Sequence, residues 1–175
     1  SEEGISVLPE KTTDNFDVSD YSCLILPGCS DFTEVFKDKK LFSFLNRFRQ
    51  NNDLPIGAIC SGPLLLARSG VLTGKQWTAS IFMDFFDFFP FLERENYVVS
   101  PIVVSGNIVT AQGNNFNGFA VAMAHLLGFE CPNHIFSGHI DSWKKEDYMH
   151  YLPKEAVAQT RSMFGISDSE TAYEK

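Results

Sequence analysis

Cys60 stands at the end of one apolar run and at the head of another. Pro55 to Ile59 (Pro-Ile-Gly-Ala-Ile) reads as a buried parallel strand. Beyond Cys60 the chain passes through Ser61-Gly62-Pro63 into Leu64-Leu65-Leu66-Ala67, which reads as helix. Pro63 suits a first helical turn, where its missing N–H is not needed. Gly62 lets the backbone turn tightly with no side chain in the way. The spacing predicts a strand–cysteine–helix elbow with the sulfur beside a helix N-terminus. Unpaired N–H groups and partial positive charge at such an end favour an ionised sulfur. The chemistry this prepares is nucleophilic attack.

The other reactive side chains form no comparable pattern. The cysteines at 23, 29, 60 and 131 show neither Cys-x-x-Cys spacing nor the density of a disulfide scaffold, which points to a reducing, cytoplasmic setting. The histidines at 125, 134, 139 and 150 lack zinc-type spacing, so no metal or other cofactor is expected. A net charge of −8 leaves no basic footprint for nucleic acid or an anionic membrane. No apolar run approaches membrane-spanning length, and no signal-peptide pattern opens the chain.

The elements that must hold the elbow follow from periodicity. With 175 residues, 44% of them hydrophobic, the chain suits a single domain with a substantial core. Gly4 to Pro9 alternates like a short strand, and Tyr21 to Leu26 reads as a buried strand bounded by Pro27-Gly28. Asp38 to Asn51 is an amphipathic helix, with Leu41, Phe44, Leu45 and Phe48 on one face. Strand, helix, strand, helix in this order implies right-handed crossovers and a parallel sheet. Ligands of such sheets sit beyond the strands' carboxyl ends, where Cys29 and Cys60 both fall.

Trp77 to Ser80 reads as a short strand. Phe82, Phe85, Phe86 and Phe89 then make an aromatic stripe at helical spacing, read first as a core face and second as a wall over the cysteine pocket or a dimer contact. Tyr97 to Val104 and Ile108 to Ala111 form a hairpin around Ser105-Gly106-Asn107. A helix from about Asn117 carries Phe119, Ala122, Met123 and Leu126 and ends at Gly128. One or two helices are expected over residues 129 to 153, within a C-terminal helical segment 129–175 whose last residues, 167 to 175, are polar and frayed.

The elbow geometry is similar to the nucleophile elbow of serine hydrolases, with Gly57 three residues before the nucleophile instead of two. A closer resemblance rests on Ala-Ile-Cys-Ser-Gly-Pro, on Gly70-Val71-Leu72-Thr73-Gly74-Lys75, on Leu26-Pro27-Gly28, and on Gly106-Asn107-Ile108-Val109-Thr110-Ala111-Gln112-Gly113. Over roughly residues 5 to 128 the chain resembles the ThiJ/PfpI superfamily. The resemblance implies a three-layer, flavodoxin-like α/β sandwich of class I glutamine-amidotransferase type with a mostly parallel sheet. Its activities include intracellular proteases and amidases, deglycase and glyoxalase III enzymes, isonitrile hydratases and redox-responsive proteins. It implies Cys60 as nucleophile, backbone N–H groups of Ser61 and of the Gly28-Cys29 pair as an oxyanion hole, and a homodimer.

Against this pattern the chain departs at several places. Cys29 replaces the second glycine of the family's Pro-Gly-Gly. The βαβ segment that precedes Ile5 in the family, and the glutamate it carries, have no counterpart here. Histidine is absent from both family positions, where Ser61 and Ala79-Ser80 stand. A base would then come from His134, His139 or His150, each more simply a surface or packing residue, while His125 is expected to be structural. The expected function is a cysteine-dependent hydrolase or amidase acting through Cys60 on a small carbonyl or amide substrate, with Trp77, Ser80 and Asn114 as candidate pocket residues. The alternatives are a redox or electrophile sensor, in which Cys29 resolves an oxidised Cys60, and a binding module that keeps the elbow as inherited architecture.

Overall fold

The computed structural model describes residues 1, 4–15, 17–132 and 142–166. Four strands form one sheet: β1 (Leu24–Leu26), β2 (Ile56–Ile59), β3 (Ile102–Ser105) and β4 (Ile108–Ala111). Their order is β1-β2-β4-β3. β1 and β4 both run parallel to β2, with Ile56 opposite Leu24 on one side and Ile108 on the other. β3 returns antiparallel to β4 through the expected turn, where Gly106 takes a φ of +61°. β2 is therefore central, and its apolar, non-alternating sequence is that of a strand covered on both faces.

The two coverings separate by the strand's own alternation. Ile56, Ala58 and Ile108 face a large core with Leu64 and Leu66 of α2 (Gly62–Arg68). Val109 and Ala111 face a smaller cluster with Phe119 and Met123 of α4 (Phe116–Leu126). Gly57 also points to the α4 side, where a Cβ would lie 2.7 Å from Phe119 Cζ and 2.8 Å from Met123 Sδ. Helix, sheet and helix make the three-layer α/β fold.

Around α2 the large core is built from aromatic rings. Phe85 of α3 (Phe85–Phe88) meets Phe32 and Phe89 edge-on at 5.9 and 5.5 Å. Phe164, just after α5 (Lys154–Met163), stacks on Phe32 at 5.2 Å. The Phe-rich segment is thus core, as its first reading has it. Its buried members, however, are Phe85, Phe88 and Phe89, while Phe82 is exposed. The reason is that only four residues are helical, so the chain leaves the 3.6-residue period before the stripe is complete. Asp84 holds this segment to the C-terminal part by accepting the Leu152 N–H at 3.0 Å.

Other expectations are corrected by missing partners. Residues 4–9 form no strand, and Ile5, Val7 and Leu8 are exposed, because none of them is paired to the sheet. β1 is an edge strand among the described residues, which leaves Ile25 44% exposed. Trp77 to Ser80 makes one isolated bridge, Trp77 to Tyr97, and no strand. α1 (Lys39–Asn46) is shorter than its amphipathic pattern and continues as turns that still bury Phe48. Asp38 caps it by accepting from the Lys40 and Leu41 N–H groups. Between 129 and 153 the described residues contain no α-helix, only a 3-10 turn, Lys145–Tyr148, and an isolated bridge from His150 to Phe82. The expectations for His134, His139 and residues 167–175 lie outside the described residues. No helix among the described residues is long and apolar enough to cross a membrane.

Replacing Phe85 by alanine removes a ring from the centre of the aromatic core and is expected to cost about 3–5 kcal/mol in urea unfolding. Asp38→Ala, which removes only a helix cap, should cost about 1 kcal/mol in the same assay.

Candidate active site

Among the described residues Cys60 is the one non-glycine residue with positive φ, at +62°. An L-residue in that conformation carries about 1–3 kcal/mol of strain and persists only where its surroundings over-determine it. Here they do. The Cys60 N–H donates to Ala111 O at 3.0 Å, carrying the β2–β4 ladder one residue past the strand. The Cys60 carbonyl accepts the Ser80 N–H at 2.9 Å. With both backbone groups tied, the side chain is thrown out of the strand direction at the start of α2.

Two glycines make room for it. A Cβ on Gly28 would lie 2.5 Å from Cys60 Cβ, 2.8 Å from the Ser61 nitrogen and 3.0 Å from Cys60 Sγ. A Cβ on Gly113 would lie 3.1 Å from the same sulfur. Gly62, where a Cβ would fall 2.6 Å from Leu26 O, lets the end of β1 close onto the elbow. Ser61 completes the junction with its side chain. Its Oγ accepts the Cys29 N–H at 2.9 Å and donates to Cys29 O at 2.7 Å.

This latch engages one of the amides that the resemblance assigns to an oxyanion hole. The Cys29 amide is already committed to Ser61 Oγ. The amides of Gly28 and Ser61, by contrast, have no hydrogen-bond partner among the described residues. Gly28 and Ser61 are the residues that pack against each other beside Cys60, where a Cβ on Gly28 would lie 2.8 Å from the Ser61 nitrogen.

Behind Cys60 lies a polar network that the sequence reading does not anticipate. Ser80 Oγ accepts the Gly113 N–H at 2.7 Å and donates to Gln112 Oε1 at 3.1 Å. Gln112, almost fully buried, donates from Nε2 to Thr78 Oγ1 at 3.1 Å and to Tyr97 OH at 3.4 Å. Thr78 donates its hydroxyl to Ser100 O and its N–H to Thr110 Oγ1, both at 2.9 Å. Tyr97 OH donates to Ala79 O at 3.0 Å. A buried network whose members satisfy one another holds its geometry firmly. The signal in the sequence was Gln112 itself, a polar residue directly after the apolar β4.

Of the three candidate pocket residues, only Ser80 reaches the cysteine. Trp77 is buried in the core against Tyr97, with ring centroids 4.9 Å apart, and does not line the site. Asn114 is exposed in a 3-10 turn over Gly113–Asn115. Of the described histidines, His125 has its Nε2 2.7 Å from Cys131 O, and His150 is an exposed residue whose backbone carbonyl accepts the Met83 N–H. Among the described residues no side chain hydrogen-bonds Cys60 Sγ, and no disulfide joins the four cysteines. No group of three or more metal-ligating side chains occurs among them either.

The sequence matches the DJ-1/PfpI family over residues 1–125. The chain belongs to that family. A Bacillus subtilis protein named "Putative cysteine protease YraA" is 32% identical over 111 residues, 62% of this chain and 62% of its own. The protein named deglycase PH1704 of Pyrococcus horikoshii is 26% identical over 115 residues, 62% of this chain and 63% of its own. The chain thus spans less than two thirds of these relatives' length. Among solved structures, the DJ-1 superfamily protein Atu0886 of Agrobacterium tumefaciens superposes with a TM-score of 0.63 and 27% identity, covering 75% of this chain and 69% of that one.

Two measurements check this geometry. Gly28→Ala forces a methyl group onto Cys60 and is expected to lower the melting temperature and the rate of Cys60 alkylation, whereas Gly113→Ala, with its wider clearance, has a smaller effect on both. Tyr97 supplies a pH test. Burial raises its pKa above the ordinary 10.0, more than its hydrogen bonds to Gln112, Thr78 and Ala79 lower it. Above that value the unfolded chain gives up a proton that the folded chain retains, so stability falls as pH rises. Tyr97→Phe should flatten this alkaline loss in melts between about pH 8 and about pH 11, at a cost of about 1 kcal/mol near neutrality.

Proposed function

We propose that this family member is a cysteine-dependent hydrolase of small carbonyl or amide compounds, with Cys60 as the nucleophile. The observation that carries the reading is the positive φ of Cys60, held from both sides by backbone hydrogen bonds and framed by Gly28 and Gly113. A strained backbone conformation at a reactive side chain is a feature that active sites maintain and packing alone does not need.

In the proposed reaction the Cys60 sulfur, as thiolate, adds to the carbonyl carbon. A C–S bond forms as the carbonyl π pair moves onto oxygen. The Gly28 and Ser61 N–H groups are the donors available to that oxyanion. Its collapse breaks the bond to the leaving amine, which departs with a proton from water, and hydrolysis of the thioester by a second water restores the thiol. Ser80 is a positioning residue in this scheme: its hydroxyl proton is directed to Gln112 and its lone pair to Gly113, and its N–H fixes the Cys60 carbonyl.

A second reading is favoured by the double hydrogen bond between Ser61 Oγ and Cys29, which keeps a second thiol-bearing residue next to Gly28 at the elbow. In that reading peroxide oxidises Cys60 to the sulfenic acid with release of water. The Cys29 thiolate then displaces hydroxide, giving a disulfide.

Peptide-resolved alkylation with iodoacetamide across pH separates these readings from an inert elbow. Cys60 is expected to react about tenfold faster than Cys23 or Cys131 near neutral pH. Turnover in a screen of small amides and α-oxoaldehydes, abolished in Cys60→Ala, supports the hydrolase. A Cys29–Cys60 disulfide under peroxide without turnover supports the sensor. Labelling no faster than Cys23 or Cys131 overturns both.

A further inference from the structure

Arg68 closes α2, and its guanidinium lies over two phenylalanine rings, 4.7 Å from the Phe36 centroid and 4.5 Å from that of Phe42. Ring faces hold a guanidinium in place and leave its N–H groups directed sideways. Among the described residues no carboxylate pairs with it. Its pKa is lowered by partial burial, and among the described residues no acid opposes that shift. In a chain of net charge −8, an oriented and unneutralised cation is out of keeping with its surroundings.

Beside Arg68 runs a groove of about 520 Å³ lined by Phe36, Phe89, Phe91, Phe164 and Ile166, with Lys37 also on its border. The walls are rigid for a surface feature. Phe89 and Phe91 stack at 5.4 Å, Phe36 meets them edge-on at 5.5 and 6.0 Å, and Phe164 meets Phe89 edge-on at 5.2 Å. Lys37 is neutralised by Glu34 at 2.6 Å, which leaves Arg68 as the cation available to a ligand. None of the described lining residues belongs to the Cys60 site. Aromatic walls that converge on a single unpaired guanidinium make a site selective for one negative charge carried on an apolar body.

We propose that this groove binds a small amphipathic carboxylate, an aryl or medium-chain acyl acid, with the carboxylate on Arg68 and the apolar part against Phe36, Phe89, Phe91 and Phe164. The volume accommodates an eight-carbon chain, and a charge on the far end of such a ligand would have no partner among the aromatic walls. The site is separate from the proposed hydrolysis at Cys60 and does not depend on it.

Isothermal titration calorimetry of the whole chain with octanoate and with octanamide tests this directly, since the two differ in charge but not in apolar length. Octanoate is expected to bind at least about tenfold more tightly, the worth of one charge-assisted hydrogen-bonded contact. Arg68→Met, which keeps an apolar stem of similar length, should abolish that preference, and Phe91→Ser should weaken both ligands. Carbamidomethylation of Cys60 should leave octanoate binding unchanged. Equal affinities for acid and amide, no octanoate binding at millimolar concentration, a preference that survives in Arg68→Met, or binding lost on Cys60 alkylation would each overturn the assignment. If Arg68→Met fails to fold, the comparison of the two ligands on the unaltered chain decides alone.

Discussion

The carbonyl of Ala111 and the amide of Ser80 hold Cys60 between them, and the rest of the site depends on that grip. An L-residue at a φ of +62° relaxes unless its backbone is fixed. One bond belongs to the parallel ladder of β2 and β4 and is as firm as the sheet. The other comes from a non-strand segment, so its firmness must be supplied from elsewhere. Tyr97, Thr78, Gln112 and Ser80 supply it through a chain of hydrogen bonds that runs from buried core to the cysteine. Cys60 is therefore positioned by a sheet on one side and by a polar network on the other.

The same economy governs the Cys29 side. Ser61 follows Cys60, and its hydroxyl ties the end of β1 to the start of α2 through both backbone groups of Cys29. Gly28 can then lie against the sulfur, and its N–H and that of Ser61 have no hydrogen-bond partner among the described residues. Using the side chain as a latch and leaving the amide open is a division of labour within one residue.

Beyond the elbow, aromatic packing sets the shape of the molecule. The rings of Phe32, Phe36, Phe85, Phe89 and Phe164 come from segments far apart in sequence and meet mostly edge-on. Such contacts add to the burial of large apolar surfaces. They also extend to the border of the domain, where Phe36 and Phe42 meet the Arg68 guanidinium.

Local order in the chain was enough to reveal the elbow, the two helices beside the central strands and the hairpin, because each rests on interactions between near neighbours. Pro63 and Gly62 after an apolar run, Gly106 in a two-strand turn and Gly128 at a helix end carry their geometry with them. What local order could not decide was whatever needs a partner from a distant segment. Among the described residues, Ile5 to Leu8 alternate like a strand but have no strand beside them, and Trp77 to Ser80 find one bridge. The Cys29 amide looked open to a substrate until Ser61 Oγ, thirty-two residues away, was seen to hold it. Gln112 became a structural keystone only once the fold brought Thr78, Tyr97 and Ser80 around it. Backbone turns are written in single residues, whereas hydrogen-bond satisfaction and burial are properties of pairs that only tertiary structure brings together.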